Sequence, residues 1–243
     1  MRRAVSLIAA AWLALSPTVT SAQTVQTLGA GSARGFGFAG SAVVVSGAAF
    51  VTAAHYTPST SAQAVSFSGA SAGNLALIIV SNSTSVAPSA PTGWTALATY
   101  TWVTYGYHEA AFYKVLNSGD ISTGSVTVSG LATDSTVEFL DYSGVSSAAL
   151  VSTGDVTASP LAISGFTKNA ASKVIVAYCT NRTATGNATL PSGMTNRIAN
   201  FASTNFQTRV DDFLPSSGYA NGASVTYTAT VGFEVIGRLI ELT

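Results

Sequence analysis

Short runs of Val, Ile, Thr, Tyr and Phe recur along the chain, separated by clusters of Gly, Asn, Asp and Ser. Branched and aromatic side chains suit a pleated, half-buried surface and the intervening residues suit tight turns, so the pattern predicts strands throughout. No window of a dozen residues carries a helical stripe. Two segments, "LALIIV" (75–80) and "KVIVAY" (173–178), are almost continuously apolar, as central strands covered on both faces are. "SVTVS" (125–129) and "SVTYT" (224–228) alternate instead. There Val126 and Val128 are expected to face inward, with the Ser and Thr side chains toward water.

The same pattern occurs twice. "AVSFSGASAGNLALIIVSNS" (64–83) parallels "LAISGFTKNAASKVIVAYCTN" (161–181), "PTGWT" (91–95) returns as "PSGMT" (191–195), and "GSVTVSGLATDSTVEFLDYSGV" (124–145) parallels "ASVTYTATVGFEVIGRLIEL" (223–242). Three matches in one order point to an internal repeat. In the short motif Gly supplies a positive φ, and Trp94 or Met194 would plug the end of the fold. One such half alone has open edges and a thin core. The expected architecture is therefore all-β, a jelly-roll-like antiparallel sandwich over residues 64–243, built from sequence-related halves 64–150 and 160–243. An N-terminal arm, 23–63, would add strands through "GSAVVVSGAAFVTAAHY" (40–56).

Before that arm, "MRR", an apolar run from Ala4 to Leu15 and the exit Thr20-Ser21-Ala22 form a secretory signal peptide, with cleavage expected before Gln23. The alternative is an apolar helix over 1–22 that is retained as part of the architecture. Either places the protein outside the cell, on a virion or on a cell surface. The run is too short to span a bilayer.

Composition narrows the function. Charged residues make up 8% of the chain, ten basic against ten acidic, so no basic stripe is on offer to nucleic acid. The surface must then be covered by Ser, Thr, Asn and Gly. The single cysteine, Cys179, lies in the apolar "KVIVAYC" and is expected to be buried and inert. No zinc spacing occurs, and no cofactor motif is present. Sequons at Asn82, Asn181 and Asn187 are taken as ordinary turn residues.

Gly73-Asn74-Leu75, Pro91-x-Gly93-Trp94-Thr95, Phe112-Tyr113-Lys114-Val115 and Tyr142-Ser143-Gly144-Val145 together resemble a β-sandwich module, "GDLL…PxGWT…WYRV…YxGV". That module occurs in phage and prophage structural proteins and in bacterial surface proteins. The likeness spans about residues 60–242, with Asn74 where Asp is usual. It implies a non-catalytic structural or adhesive part: a decoration, fibre or spike component, partnered by other structural subunits and by copies of itself. It carries over no site residues.

Three kinds of chemistry compete with this reading. "FVTAAH" (50–55) resembles the segment bearing the general-base histidine of trypsin-like serine hydrolases, but no "GDSGGP"-like nucleophile turn follows. A degenerate hydrolase is thus a remote alternative, and His55 is expected at an exposed strand end. Adjacent Asp211 and Asp212 point to opposite faces of a strand and cannot flank one glycosidic bond. Glu109, Glu138, Asp141 and Glu234 are scattered and expected in turns or at rims. The strongest recognition feature is the hairpin "WTALATYTWVTYGYHEAAFY" (94–113), where Trp94, Tyr100, Trp102, Tyr105 and Tyr107 could stack on a cell-surface glycan. Alternation sets Tyr100 and Trp102 on one face, Tyr105 and Tyr107 on the other. The competing use of these rings is packing.

Overall fold

A computed structural model describes residues 47–102, 106–157, 160–164, 166–182, 188–202, 206–228 and 234–243. The leader 1–22, the arm up to residue 46, Tyr105 and Asn187 lie outside them. The chain is all-β, and every strand pair is antiparallel.

Seven strands lie in the first half of the described chain: β1 (Ala49–Tyr56), β2 (Ala62–Ser66), β3 (Leu75–Asn82), β4 (Thr95–Thr101), β5 (His108–Val115), β6 (Ser125–Ser129) and β7 (Thr136–Ser143). Seven more follow: β8 (Ala148–Val156), β9 (Leu161–Ile163), β10 (Val174–Asn181), β11 (Thr195–Ala202), β12 (Gln207–Phe213), β13 (Val225–Tyr227) and β14 (Val235–Leu242). One short helix, α1 (Ser118–Thr123), lies before β6, with Asn117 and Asp120 forming a capping box at its start.

The first set forms a five-stranded sheet in the order β1-β7-β3-β5-β4 and a ribbon β2-β6. The second forms a sheet in the order β8-β14-β10-β12-β11 and a ribbon β9-β13. Counted from the first strand of each set, the two orders are the same. Among the described residues no strand of 49–143 pairs with one of 148–242. The edge strands "AFVTAAHY" and "AALVSTGDV" each pair within their own set: β1 with β7, β8 with β14. The expected arm therefore contributes an integral strand of the first sheet, and the boundary at 63/64 falls inside β2.

Alternation explains why the central strands are apolar throughout. Leu75, Leu77 and Ile79 enter one buried cluster with Val174, Val176 and Tyr178 of the other sheet. Ala76, Ile78 and Val80 point the other way, under the β2-β6 ribbon with Val65, Phe67 and Val128. Ile175, Ala177 and Cys179 likewise lie under the β9-β13 ribbon. Val128 is buried while Thr127 and Ser129 are exposed, as the alternation predicted. Both "P-x-G-x" segments make the same turn: the Trp94 and Met194 N–H groups donate to the Pro91 and Pro191 carbonyls, with Gly93 and Gly193 both at φ 78°. Trp94 and Met194 are then buried in the two outer clusters. All four edge strands carry a register shift against their neighbours: β1 at Phe50/Thr52, β4 at Ala96/Ala98, β11 at Asn196/Ile198 and Ile198/Phe201, and β8 opposite Leu239/Ile240.

Candidate functional site

Among the described residues of the aromatic hairpin, Trp94 and Trp102 are buried and Tyr100 and Tyr107 half-buried. Trp94 lies in the core, its ring centroid 6.3 Å from that of Phe67 in a stacked arrangement. Trp102 is fully buried against Phe206 (5.5 Å) and Ile236 of the second sheet. Tyr107 joins the same cluster as Tyr100 and Trp102, which corrects the expected division between two faces. The cause is the hairpin itself. The Trp102 N–H donates to the Tyr107 carbonyl at 2.7 Å, making them cross-strand partners, and such partners share a face. Tyr107 meets Phe206 edge-on at 5.7 Å and Arg182 at 5.3 Å. Buried Trp94 and Trp102 offer no open ring to a sugar, and half-buried Tyr100 and Tyr107 already have partners across the sheets.

Beneath these rings lies a polar end of the inter-sheet space. Glu109 of β5 and Arg238 of β14 are both buried, with Nη2 and Oε2 3.4 Å apart. The Arg238 guanidinium lies 4.2 Å above the Tyr100 ring, and the Tyr100 hydroxyl donates to Asp155 of β8. Arg238 Nη1 donates to the Gly237 and Gly154 carbonyls at 2.8 and 3.2 Å. Burial pushes the Glu109 carboxyl up to about 7, against the opposing pull of Arg238 and the Thr180 hydroxyl. Burial and then Asp155 raise Tyr100 to about 12. A string of hydroxyls continues the joint, Thr136 to Thr208 at 2.9 Å, Thr208 to Thr180 at 3.4 Å and Thr180 to Ser81 at 2.9 Å.

His55 sits at the end of β1, but its imidazole is mostly covered rather than exposed. Nδ1 lies 2.8 and 2.9 Å from the two carboxylate oxygens of buried Glu138, and Nε2 is 3.2 Å from the Thr57 hydroxyl. Both contacts follow from strand geometry. His55 is the cross-strand partner of Glu138, and Thr57 is two residues along on the same face. The grouping satisfies a carboxylate that burial pushes upward.

The remaining acids are also tied. Asp211 and Asp212 do point to opposite faces. The first takes hydrogen bonds from Arg209 Nε (2.7 Å) and Asn196 Nδ2 (2.9 Å), the second from Arg197 Nε (2.8 Å) and the Tyr142 hydroxyl (3.0 Å). Asn74 Nδ2 donates to Asp141 at 2.6 Å, and the Asn169 N–H to Glu241 at 2.6 Å. Glu109, Glu138, Asp141 and Glu234 are buried, not at turns or rims. Single charges inside apolar strands such as "HEAAFYKV" and "VIGRLIEL" were the available signal, because a charge on an inward position needs a partner.

None of the ten carboxylates is exposed: seven are buried, and Asp120, Asp134 and Asp155 are half-buried. Of the seven described Lys and Arg side chains only Lys173 is exposed, and its Nζ donates to the Gly144 carbonyl. Asn82 is buried as well, its amide nitrogen donating to the Val86 and Gly130 carbonyls and its oxygen accepting from Ala132 and Ser135, so it is closed to glycosylation. Cys179 is buried, as expected. Among the described residues no group of His, Cys, Asp and Glu could hold a metal, and no helix is long and apolar enough to cross a membrane. The chain matches no protein-family model, no curated protein and no solved structure.

Proposed function

We propose that the chain is a non-enzymatic structural protein of a virion or cell surface, of decoration, fibre or spike type, which works by assembly with copies of itself and by surface adhesion. Its body is a sandwich of two sequence-related halves, each keeping its own five-stranded sheet and ribbon. The matching strand orders, the repeated turn at Gly93 and Gly193 and the shared inter-sheet cluster support that arrangement.

The observation that carries the function is the inward turn of the charges. Every carboxylate is buried or half-buried, so the exposed side chains among the described residues are almost all uncharged. The groups that could serve as acid, base or nucleophile hold the fold together instead. A surface on which Lys173 is the one exposed charge among the described residues has little of the repulsion that keeps monomers apart. Contacts between such surfaces rest on packing and on hydrogen bonds from Ser, Thr and Asn, which salt screens little.

Light scattering of the folded protein, from low salt to about 1 M, tests this. Oligomers or arrays of unchanged size across that range are expected. A monomer at all concentrations, or an assembly that salt dissolves, would overturn the proposal.

A further inference from the structure

We propose that Glu109 and Arg238 form a recognition pair that makes the inter-sheet face of each half specific for the other half, in the same chain or in a second copy. The inference rests on the two-half reading above and adds a rule for which halves can meet.

The strand registers define which places correspond. Ser81 of β3 lies between Glu109 and Thr136, and Thr180 of β10 lies between Thr208 and Ile236. Ser81 therefore corresponds to Thr180, and these two meet each other at 2.9 Å. Corresponding residues in mutual contact mark an approximate twofold relation between the halves. The neighbouring contacts agree: β1 lies against β11, and β4 against β8.

By the same registers Glu109 corresponds to Thr208, and Arg238 to Glu138, since Ile79 pairs with Glu138 where Tyr178 pairs with Arg238. Two first halves meeting through this face would set Glu109 against Glu138, two carboxylates in a buried joint. Two second halves would set Arg238 against Thr208, a buried guanidinium without a carboxylate at that place. Only unlike halves place Glu109 on Arg238. Tyr100 and Asp155 reinforce this choice, because Tyr100 lies under Arg238 and its hydroxyl meets Asp155. A buried charge left unpaired, or set against its like, costs more than a matched pair contributes, so the joint acts chiefly by rejecting wrong partners.

Only four residues, 144–147, join the end of β7 to the start of β8. A short connection can be drawn straight, and two copies then exchange halves through the same joint without any new contact.

The test uses full-length Glu109→Arg, Arg238→Glu and the double variant, together with a co-refolded equal mixture of the two single variants. Each single variant should lose about 10 °C in Tm, and the double should regain most of that loss. The mixture should yield dimers, because exchange restores unlike charges at both joints of such a dimer and at neither joint of the monomers. If a single variant does not fold, folding of the double is the supporting result, and the neutral cycle Glu109→Gln with Arg238→Gln gives a second reading. There the double variant should be more stable than the sum of the two single changes gives. Charge-reversed single variants without loss, a double no better than either, additive neutral changes or a mixture that remains monomeric would each overturn the proposal. None of these outcomes depends on whether the native surface assembles, so failure here is distinct from failure of the salt-independent assembly.

Discussion

Ser81 and Thr180 each occupy the seventh position of the central strand of their own sheet, and their hydroxyl oxygens lie 2.9 Å apart between the two sheets. They end a buried string that runs on through Thr208 to Thr136. A hydroxyl in such a place contributes little net when matched but costs its full desolvation when orphaned.

Thr180→Val keeps the shape and removes the central hydroxyl, so it should cost about 1–3 kcal/mol. Adding Ser81→Ala should cost less than the two separate losses combined, because the second change removes the group that the first orphaned. Urea unfolding of the four proteins measures this. Fully additive losses would mean that the two hydroxyls act independently.

Acid should stabilise this fold over a range in which many proteins begin to weaken. The Glu109 carboxyl has an ordinary value of 4.5 and is raised by burial to about 7 in the folded state. A raised carboxyl favours the protonated folded form. Its contribution is therefore complete below about 4.5 and is lost as the pH climbs to about 7, amounting to roughly 3 kcal/mol at most. Glu138 and Asp212 are raised too, and Asp141 to about 6, so they act with the same sign. The urea midpoint should rise between pH 7.5 and 5, and Glu109→Gln should flatten part of the rise. A midpoint that falls over this range would contradict the assignment.

Gly154 and Gly237 face each other across β8 and β14, and β9 rests on the flat place they leave. A Cβ at Gly237 would stand 2.6 Å from both Leu161 Cδ2 and Ile163 Cδ1, and one at Gly154 2.9 Å from Leu161 Cδ1. Gly237→Ala should therefore cost about 1–3 kcal/mol and Gly154→Ala less, measured by thermal unfolding. Equal stability of the parent and Gly237→Ala would mean that β9 shifts without penalty.

Cys179 should stay silent toward a thiol reagent in the folded protein and react fully once the chain is unfolded. Burial raises the thiol well above its ordinary value, with Glu109 and Asp211 adding to the effect, so little thiolate forms near neutral pH. Thionitrobenzoate release with and without denaturant measures it, and a fast native reaction would count against the packing of β10 under its ribbon.

The sequence made the central strands legible because burial on both faces leaves a continuous apolar run, as in β3 and β10. The repeated turn was legible because Gly93 and Gly193 must take a conformation that few other residues accept. Strand β1 was expected within 40–56, but its equivalence to β8 was not legible, since an edge strand packs against one neighbour only and "AFVTAAHY" shares little with "AALVSTGDV". The destination of the aromatic hairpin was also hidden. Trp102 is buried by Phe206 and Ile236, which lie more than a hundred residues further on, and no local pattern announces such a neighbour. The acids were visible as anomalies, but Arg238 and Arg197, the partners of Glu109 and Asp212, come from other strands.

The register shifts on β1, β4, β8 and β11 bear on how copies of this molecule can and cannot associate. A strand arriving at any of these edges would keep step for at most five residues before meeting N–H and C=O groups out of phase. The outermost strands lack the lysines and prolines that commonly guard such edges, so the misphasing takes over that duty. Growth by endless strand addition, the route to amyloid, is thereby interrupted at every border of both sheets. Association is left to the faces and loops, where a contact can end in a closed particle instead of an open fibre.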